Sequence, residues 1–225
     1  MNLGDRNMQG YPADGPVTLT VRDSRDGKRQ TIASGWKLNA SRTALEMESG
    51  FAPFQIYEAI YTTKNPVVAG TGLAAVRDFI SFLRYGNRGE TLLADQPRFL
   101  KRFIAFGTSQ SGRFLRQFLY DGFNSDELGR PVFDGIWANV AGAGRGSFNL
   151  RGAQPSRDGH PTFNFFYPSD IFPFTDLLST DATAGRTDGL LARAGNIPKI
   201  FYTNGSYEYW GRNAALIHLT PDGKQ

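Results

Sequence analysis

The chain contains no cysteine. That excludes disulfides, a thiolate nucleophile and any thiolate-bound metal together. Histidine is nearly as scarce: His160 and His218 are the only two in 225 residues, so imidazole chemistry has two candidates at most. No stretch approaches the roughly 18 uninterrupted apolar residues that a membrane-spanning helix requires. Met1 to Gly15 is polar and turn-rich, without the apolar run of a signal peptide. The default expectation is therefore a cytoplasmic protein; a secreted or periplasmic one would need a leader lost upstream. No run of basic residues exists either. The net charge of +4 arises from Lys and Arg scattered among Asp and Glu, which reads as a solvated surface rather than a nucleic-acid footprint.

What is present fits one α/β domain with a sizeable core. Residues 1–50 are β-rich: Val17, Leu19 and Val21 alternate with Thr18, Thr20 and Arg22, the period-2 pattern of a half-buried strand. Asp26-Gly27 marks a turn, and Gln30 to Ile32 can return as the partner strand. Residues 51–225 read as the α/β core. Ile56 to Thr62 is aromatic and β-branched and predicts a strand. Leu73, Val76, Ile80 and Leu83 then recur at helical spacing before Gly86. Phe103 to Phe106 predicts a strand, Ser111 to Tyr120 a helix, and Ile136 to Val140 and Ile197 to Thr203 two further strands. This alternation predicts a mainly parallel sheet with helices on both faces. The Phe- and Pro-rich stretch 145–196 interrupts it, with Phe163, Phe165, Phe166, Tyr167, Phe172 and Phe174. A loop that long predicts an inserted, lid-like segment with short helices.

The chemistry centres on Phe103 to Arg116, where an apolar strand meets Gly107-Thr108-Ser109-Gln110-Ser111-Gly112 and an amphipathic helix follows. A nucleophile elbow needs this order, because the serine sits on a sharp strand-to-helix turn that only small flanking residues permit. Gly107 and Ser111 stand two positions either side of Ser109, and Gly112 adds clearance. Ser111 replaces the final glycine of the usual G-x-S-x-G pattern. The turn would raise the Ser109 hydroxyl above the sheet and aim the Gln110 backbone N–H at a developing oxyanion, at the positive end of the helix. A Gly/Ser turn between strand and helix is also common without function. Ser111 is the weaker nucleophile, since it would place Arg113 where a small residue is needed.

With these residues the chain resembles the bacterial family of alpha/beta hydrolase domain-containing proteins. The matching stretches are PVTLTVRDSRDGKRQTI, FQIYEAIYTTKNPVVAGTGLAAVRDFISFLR, GTSQSGRFLRQFLYDGFN, HPTFNFFYPSDIFPFTD and YTNGSYEYW, spanning about Pro16 to Trp210. The elbow variant G-x-S-Q-S-G-R together with the YW-containing acidic motif is distinctive. The resemblance implies the α/β-hydrolase fold and a serine hydrolase, without a substrate.

The acid and base follow in the chain order Ser, Asp/Glu, His. Glu208 lies just beyond the strand Ile197 to Thr203. On position alone it reads equally as an exposed loop residue among Tyr207, Tyr209 and Trp210; the resemblance favours the triad acid. Asp170 and Asp176 are rivals that lid anchoring explains more simply. His218 stands only ten positions past Glu208 and His160 precedes it, so both fit poorly as the base, His218 being the less poor. The resemblance implies a catalytic histidine after a further strand, beyond Gln225, and hence a chain incomplete at its C-terminus. The loop from Thr62 to Gly72 is a candidate for the second oxyanion N–H, with no residue assigned. No metal or cofactor is expected. The expected function is a serine esterase acting through a Ser109 acyl-enzyme on a small-molecule ester, one with an apolar or aromatic part if the phenylalanines line the site. An acyltransferase using the same serine is the alternative within enzymes. A non-catalytic binding module of the same fold, with Trp210 and the tyrosines as a platform, is the alternative outside them.

Overall fold

The computed structural model describes residues 1–3, 10–66, 68, 70–86, 100–146, 170–220 and 224. The chain divides into two compact units: Met1–Gly70 with Leu150–Tyr167, and Thr71–Asn149 with Pro168–Gln225.

The first unit is built on β1 (Asp14–Arg22), β2 (Gln30–Thr31), β3 (Trp36–Leu38), β4 (Leu45–Met47) and β5 (Ile56–Thr62). β1 is the centre of a three-stranded sheet, order β2–β1–β5, antiparallel on both sides. The β1–β2 hairpin predicted around Asp26-Gly27 forms, with Thr20 opposite Thr31 and Val21 opposite Gln30. Leu19 is fully buried, as the alternation requires. Arg22 is buried as well, and reaches Glu58 across the β1–β5 pair at 3.2 Å. A hydrogen bond from Arg29 holds the Glu58 carboxyl below the usual range. β5 thus pairs antiparallel with β1 in this unit, a partner that strand–helix alternation does not predict.

The second unit contains α1 (Gly72–Tyr85), β6 (Ile104–Thr108), α2 (Gln110–Tyr120), β7 (Gly135–Asn139), β8 (Ser179–Thr180), β9 (Thr187–Asp188), β10 (Lys199–Thr203), α3 (Ser206–Gly211) and a 3-10 turn at Ala214–Ile217. Its main sheet has the order β10–β7–β6, all parallel. One face carries Ala105, Ile136 and Ile200, which join a core of Leu73, Leu115, Phe118, Leu119, Val132 and Leu190 from α1, α2 and the connections. The opposite face presents Phe106, Trp137 and Phe201 in one register row, ring against ring at 4.8 and 5.9 Å and each more than 40% exposed. In its described part, 145–146 and 170–196, the stretch read as an inserted lid forms the β8–β9 hairpin and turns. Phe163, Phe165, Phe166, Tyr167 and His160 lie outside the described residues.

Two cations, one buried and one half-buried, lock this unit. Arg116, with no exposed surface, donates to Ala143 O at 2.9 Å and Phe174 O at 3.2 Å and lies over the Tyr202 ring. Tyr202 in turn donates to Asp176 at 2.8 Å, and burial pushes its phenol up. Arg145 stacks on Tyr120 at 3.7 Å, while Tyr120 donates to the buried Asp188 at 2.7 Å. An uncompensated charge at the depth of Arg116 would be strongly destabilising.

Candidate functional site

The loops following β6, β7 and β10 leave the sheet at one rim, because the strands are parallel and Thr108, Asn139 and Thr203 share a register row. Neighbouring strands lie about 4.8 Å apart. Residues just past β6 and β10 therefore start about 10 Å from one another.

After β6 the backbone turns sharply at Ser109, which has φ 57° and ψ −118° and caps α2. A positive φ at a non-glycine residue is strained, by roughly 1–3 kcal/mol. The surroundings fix it: Ser109 N–H donates to Asn139 O at 2.9 Å, and Ser109 O accepts from Arg113 N–H at 3.0 Å. A Cβ on Gly107 would lie 2.5 Å from Ser111 O, and one on Gly112 would lie 2.8 Å from the Ala141 side chain and 3.1 Å from Asn139 O. Strand and helix can approach this closely only with glycine at both places. Ser111, the departure from the usual pattern, points outward and is exposed, so its side chain obstructs nothing. Ser109 and Gln110 are exposed too. The Gln110 N–H opens α2, one of the orphan donors at any helix start, and has no acceptor among the described residues.

After β7 the chain passes Val140, at φ 43°, and the glycine-rich turn. Gly142 adopts φ 71°, and a Cβ there would lie 2.8 Å from the Arg212 Cβ. Gly142 N–H donates to the Asn204 side chain at 3.1 Å and Ala143 N–H to Arg212 O at 2.9 Å. Arg212 grips Asp170 through two bonds, at 2.8 and 3.1 Å. The sequence reading missed this pair, whose members lie 42 positions apart with no local pattern to link them.

After β10, Glu208 occupies the first turn of α3 and accepts from Gly205 N–H at 3.0 Å. That is half of a capping box, since glycine offers no side chain in return. Arg113 is half-buried, and one terminal nitrogen has no partner among the described residues. Burial, chiefly, and the Arg212 charge lower its pKa, while Asp170 and Glu208 oppose this. Arg113 and Glu208 thus share one electrostatic neighbourhood without an ion pair.

The sequence-derived residues are placed as follows. Gly107, Ser109, Gln110, Ser111 and Gly112 form one continuous turn. Glu208 leaves the same rim two strands away. His218 is exposed, and its Nε2 lies 3.0 Å from the Tyr209 hydroxyl, with no bond to Ser109 or Glu208. Asp176 is held by Tyr202 and Asp170 by Arg212. The Thr62–Gly72 loop is described only in part. Among the described residues no cluster of three or more His, Asp or Glu could hold a metal ion, and no helix is long and apolar enough to cross a membrane.

No curated protein and no solved structure matches this chain. A family model described as Alpha/beta hydrolase domain does match, over residues 31–188. The match takes in β6, the turn at Ser109, α2 and β7, and ends before Glu208. It spans well over half of the 225 residues, and agrees with the parallel sheet and its sharp serine turn. The chain belongs to the alpha/beta hydrolase domain family.

Proposed function

We propose that the protein is a serine hydrolase of the carboxylesterase kind, with Ser109 as its nucleophile. The observation that carries this reading is the backbone at Ser109: a strained serine between a parallel strand and a helix, exposed at the sheet's C-terminal rim. Strain persists only where the surroundings over-determine it, and it gathers at functional positions. The Ser109 oxygen attacks an ester carbonyl, the alcohol departs, and water then releases the acyl group from Ser109. The Gln110 N–H and the start of α2 stabilise the oxyanion. Glu208 orients and supports the imidazole that takes the serine proton. The substrate is a small-molecule ester.

A fluorophosphonate probe applied to the natural protein tests this. Labelling is expected on Ser109, located by peptide mass spectrometry, and absent in Ser109→Ala. Labelling that survives in that variant moves the nucleophile to another residue, and none in the wild type favours a non-catalytic binding module; either overturns the assignment.

A further inference from the structure

The rim holds a second set of contacts that the hydrolytic scheme does not use. Asn139 ends the central strand β7, between the strand that feeds Ser109 and the strand that feeds Glu208. Its side-chain oxygen accepts from the Thr203 hydroxyl at 2.7 Å, and its Nδ2 donates to the Thr108 hydroxyl at 3.4 Å. Thr203 also accepts from Trp137 Nε1 at 2.8 Å. A hydroxyl can donate once and accept twice, and an amide offers both functions, so this chain of donors and acceptors closes across all three strands. The main chain repeats the arrangement: Ser109 N–H reaches Asn139 O at 2.9 Å, and Val140 N–H reaches Thr203 O at 2.6 Å. Val140 pays for that second bond in strain, since φ 43° is rare for a β-branched residue.

From this geometry we infer that Asn139 is a positioning residue, fixing the turn that carries Ser109 relative to the loop that carries Glu208. Asn139 acts through the backbones on either side. Its amide sets where β6 and β10 end with respect to β7, and hence the separation of the two loops. The side chains of Thr108 and Thr203 are the levers, and the strained Val140 is the hinge that lets one residue serve both neighbours. Asparagine suits the place because one end accepts from Thr203 and the other donates to Thr108. Leucine matches its bulk and supplies neither, whereas aspartate can still accept from both threonine hydroxyls. The catalytic consequence rests on the assignment of Ser109 as nucleophile; the mechanical coupling does not.

The experiment compares Asn139→Leu and Asn139→Asp with wild type in the natural protein. It measures kcat and KM for an activated ester, thermal melting, and amide hydrogen exchange. In Asn139→Leu, kcat is expected to fall about 10- to 100-fold with KM nearly unchanged, the size expected when a reacting group is misplaced by about 1 Å. Asn139→Asp should recover most of the loss. Exchange at the Ser109 and Val140 amides should accelerate together in the leucine variant, while the Phe123 amide, bonded to Phe118 O at 3.0 Å, keeps its wild-type rate. An unchanged kcat in Asn139→Leu overturns the inference. So does uniform acceleration of exchange with a matching fall in melting temperature, which marks a purely structural role. Should the wild type show no Ser109-dependent turnover, the hydrolase assignment fails and the exchange pattern alone decides the coupling.

Discussion

The two loops assigned to catalysis are held by different physics. The turn at Ser109 is closed by sterics: Gly107 and Gly112 have no room for a Cβ, the main chain is bonded on both sides, and α2 below is largely buried. The loop bearing Glu208 is tied at its ends, through Asn204 and Arg212, but not at Glu208 itself. α3 is six residues long with no buried residue, Tyr207 and Trp210 stand in solvent, and among the described residues the carboxylate accepts from its own helix start. A strained, over-determined serine needs a function to explain it. A carboxylate capping a helix does not, because capping already accounts for its position. The comparison therefore ranks the two assignments, and substitutions can break it.

The largest effect should come from the serine itself. Ser109→Ala should reduce ester turnover in the natural protein on the order of 10⁶-fold without changing the circular dichroism spectrum, while Ser111→Ala stays active. A loss confined to Ser111→Ala would transfer the role to that residue. Next comes Glu208→Gln. A carboxamide cannot support an imidazolium, so kcat should fall about 10⁴-fold. The glutamine carbonyl can still accept from Gly205 N–H, so the melting temperature should hold. A variant that is fully active but melts earlier identifies Glu208 as a cap alone.

Glycine substitutions sharpen the contrast in stability. Gly107→Val must drive its Cβ into the backbone of Ser111 and Gly112, all within 2.9 Å, and should cost about 3 kcal/mol in urea unfolding. Gly205→Ala meets only the Glu208 carboxylate oxygen at 3.1 Å, the movable end of a side chain, and should cost less than about 0.5 kcal/mol. Equal losses at the two sites would erase the distinction between the loops.

The smallest effect concerns acid stability, away from both loops. Burial would raise the Asp126 carboxyl, but bonds from Ser81, Arg130 and Leu128 outweigh it and hold the value down to about 2, from an ordinary 3.8. A depressed folded value means stability that is present above the unfolded value and lost as pH falls from about 3.8 towards 2. Asp126→Asn should flatten the melting temperature in that window and leave ester turnover at neutral pH untouched.

How far the sequence could be read depended on whether the deciding contacts were local. β6, the turn at Ser109 and α2 were legible because an apolar run, small residues and helical periodicity lie within a few positions of one another. β5 was legible as a strand but not in its partner. Its antiparallel pairing with β1, Leu19 opposite Ala59, depends on residues far away along the chain. Asn139 carried a faint signal, a polar amide closing an otherwise apolar strand, whose meaning required Thr108 and Thr203 beside it. Glu208 stayed ambiguous because a helix cap and a triad acid ask for the same carboxylate just beyond a strand.

The indole that ends the Asn139 ladder gives the rim an optical readout. Trp137 is one of three tryptophans, with Trp36 and Trp210, and its Nε1 proton rests on Thr203. With Phe at positions 36 and 210, the remaining emission would come from a ring 41% exposed and bonded directly to the strand end that leads to Glu208. Indole fluorescence responds to both solvent and hydrogen bonding. Movement of β10 against β7, or a ligand settling over the aromatic row, would then register as a shift in colour, with no chromogenic substrate required.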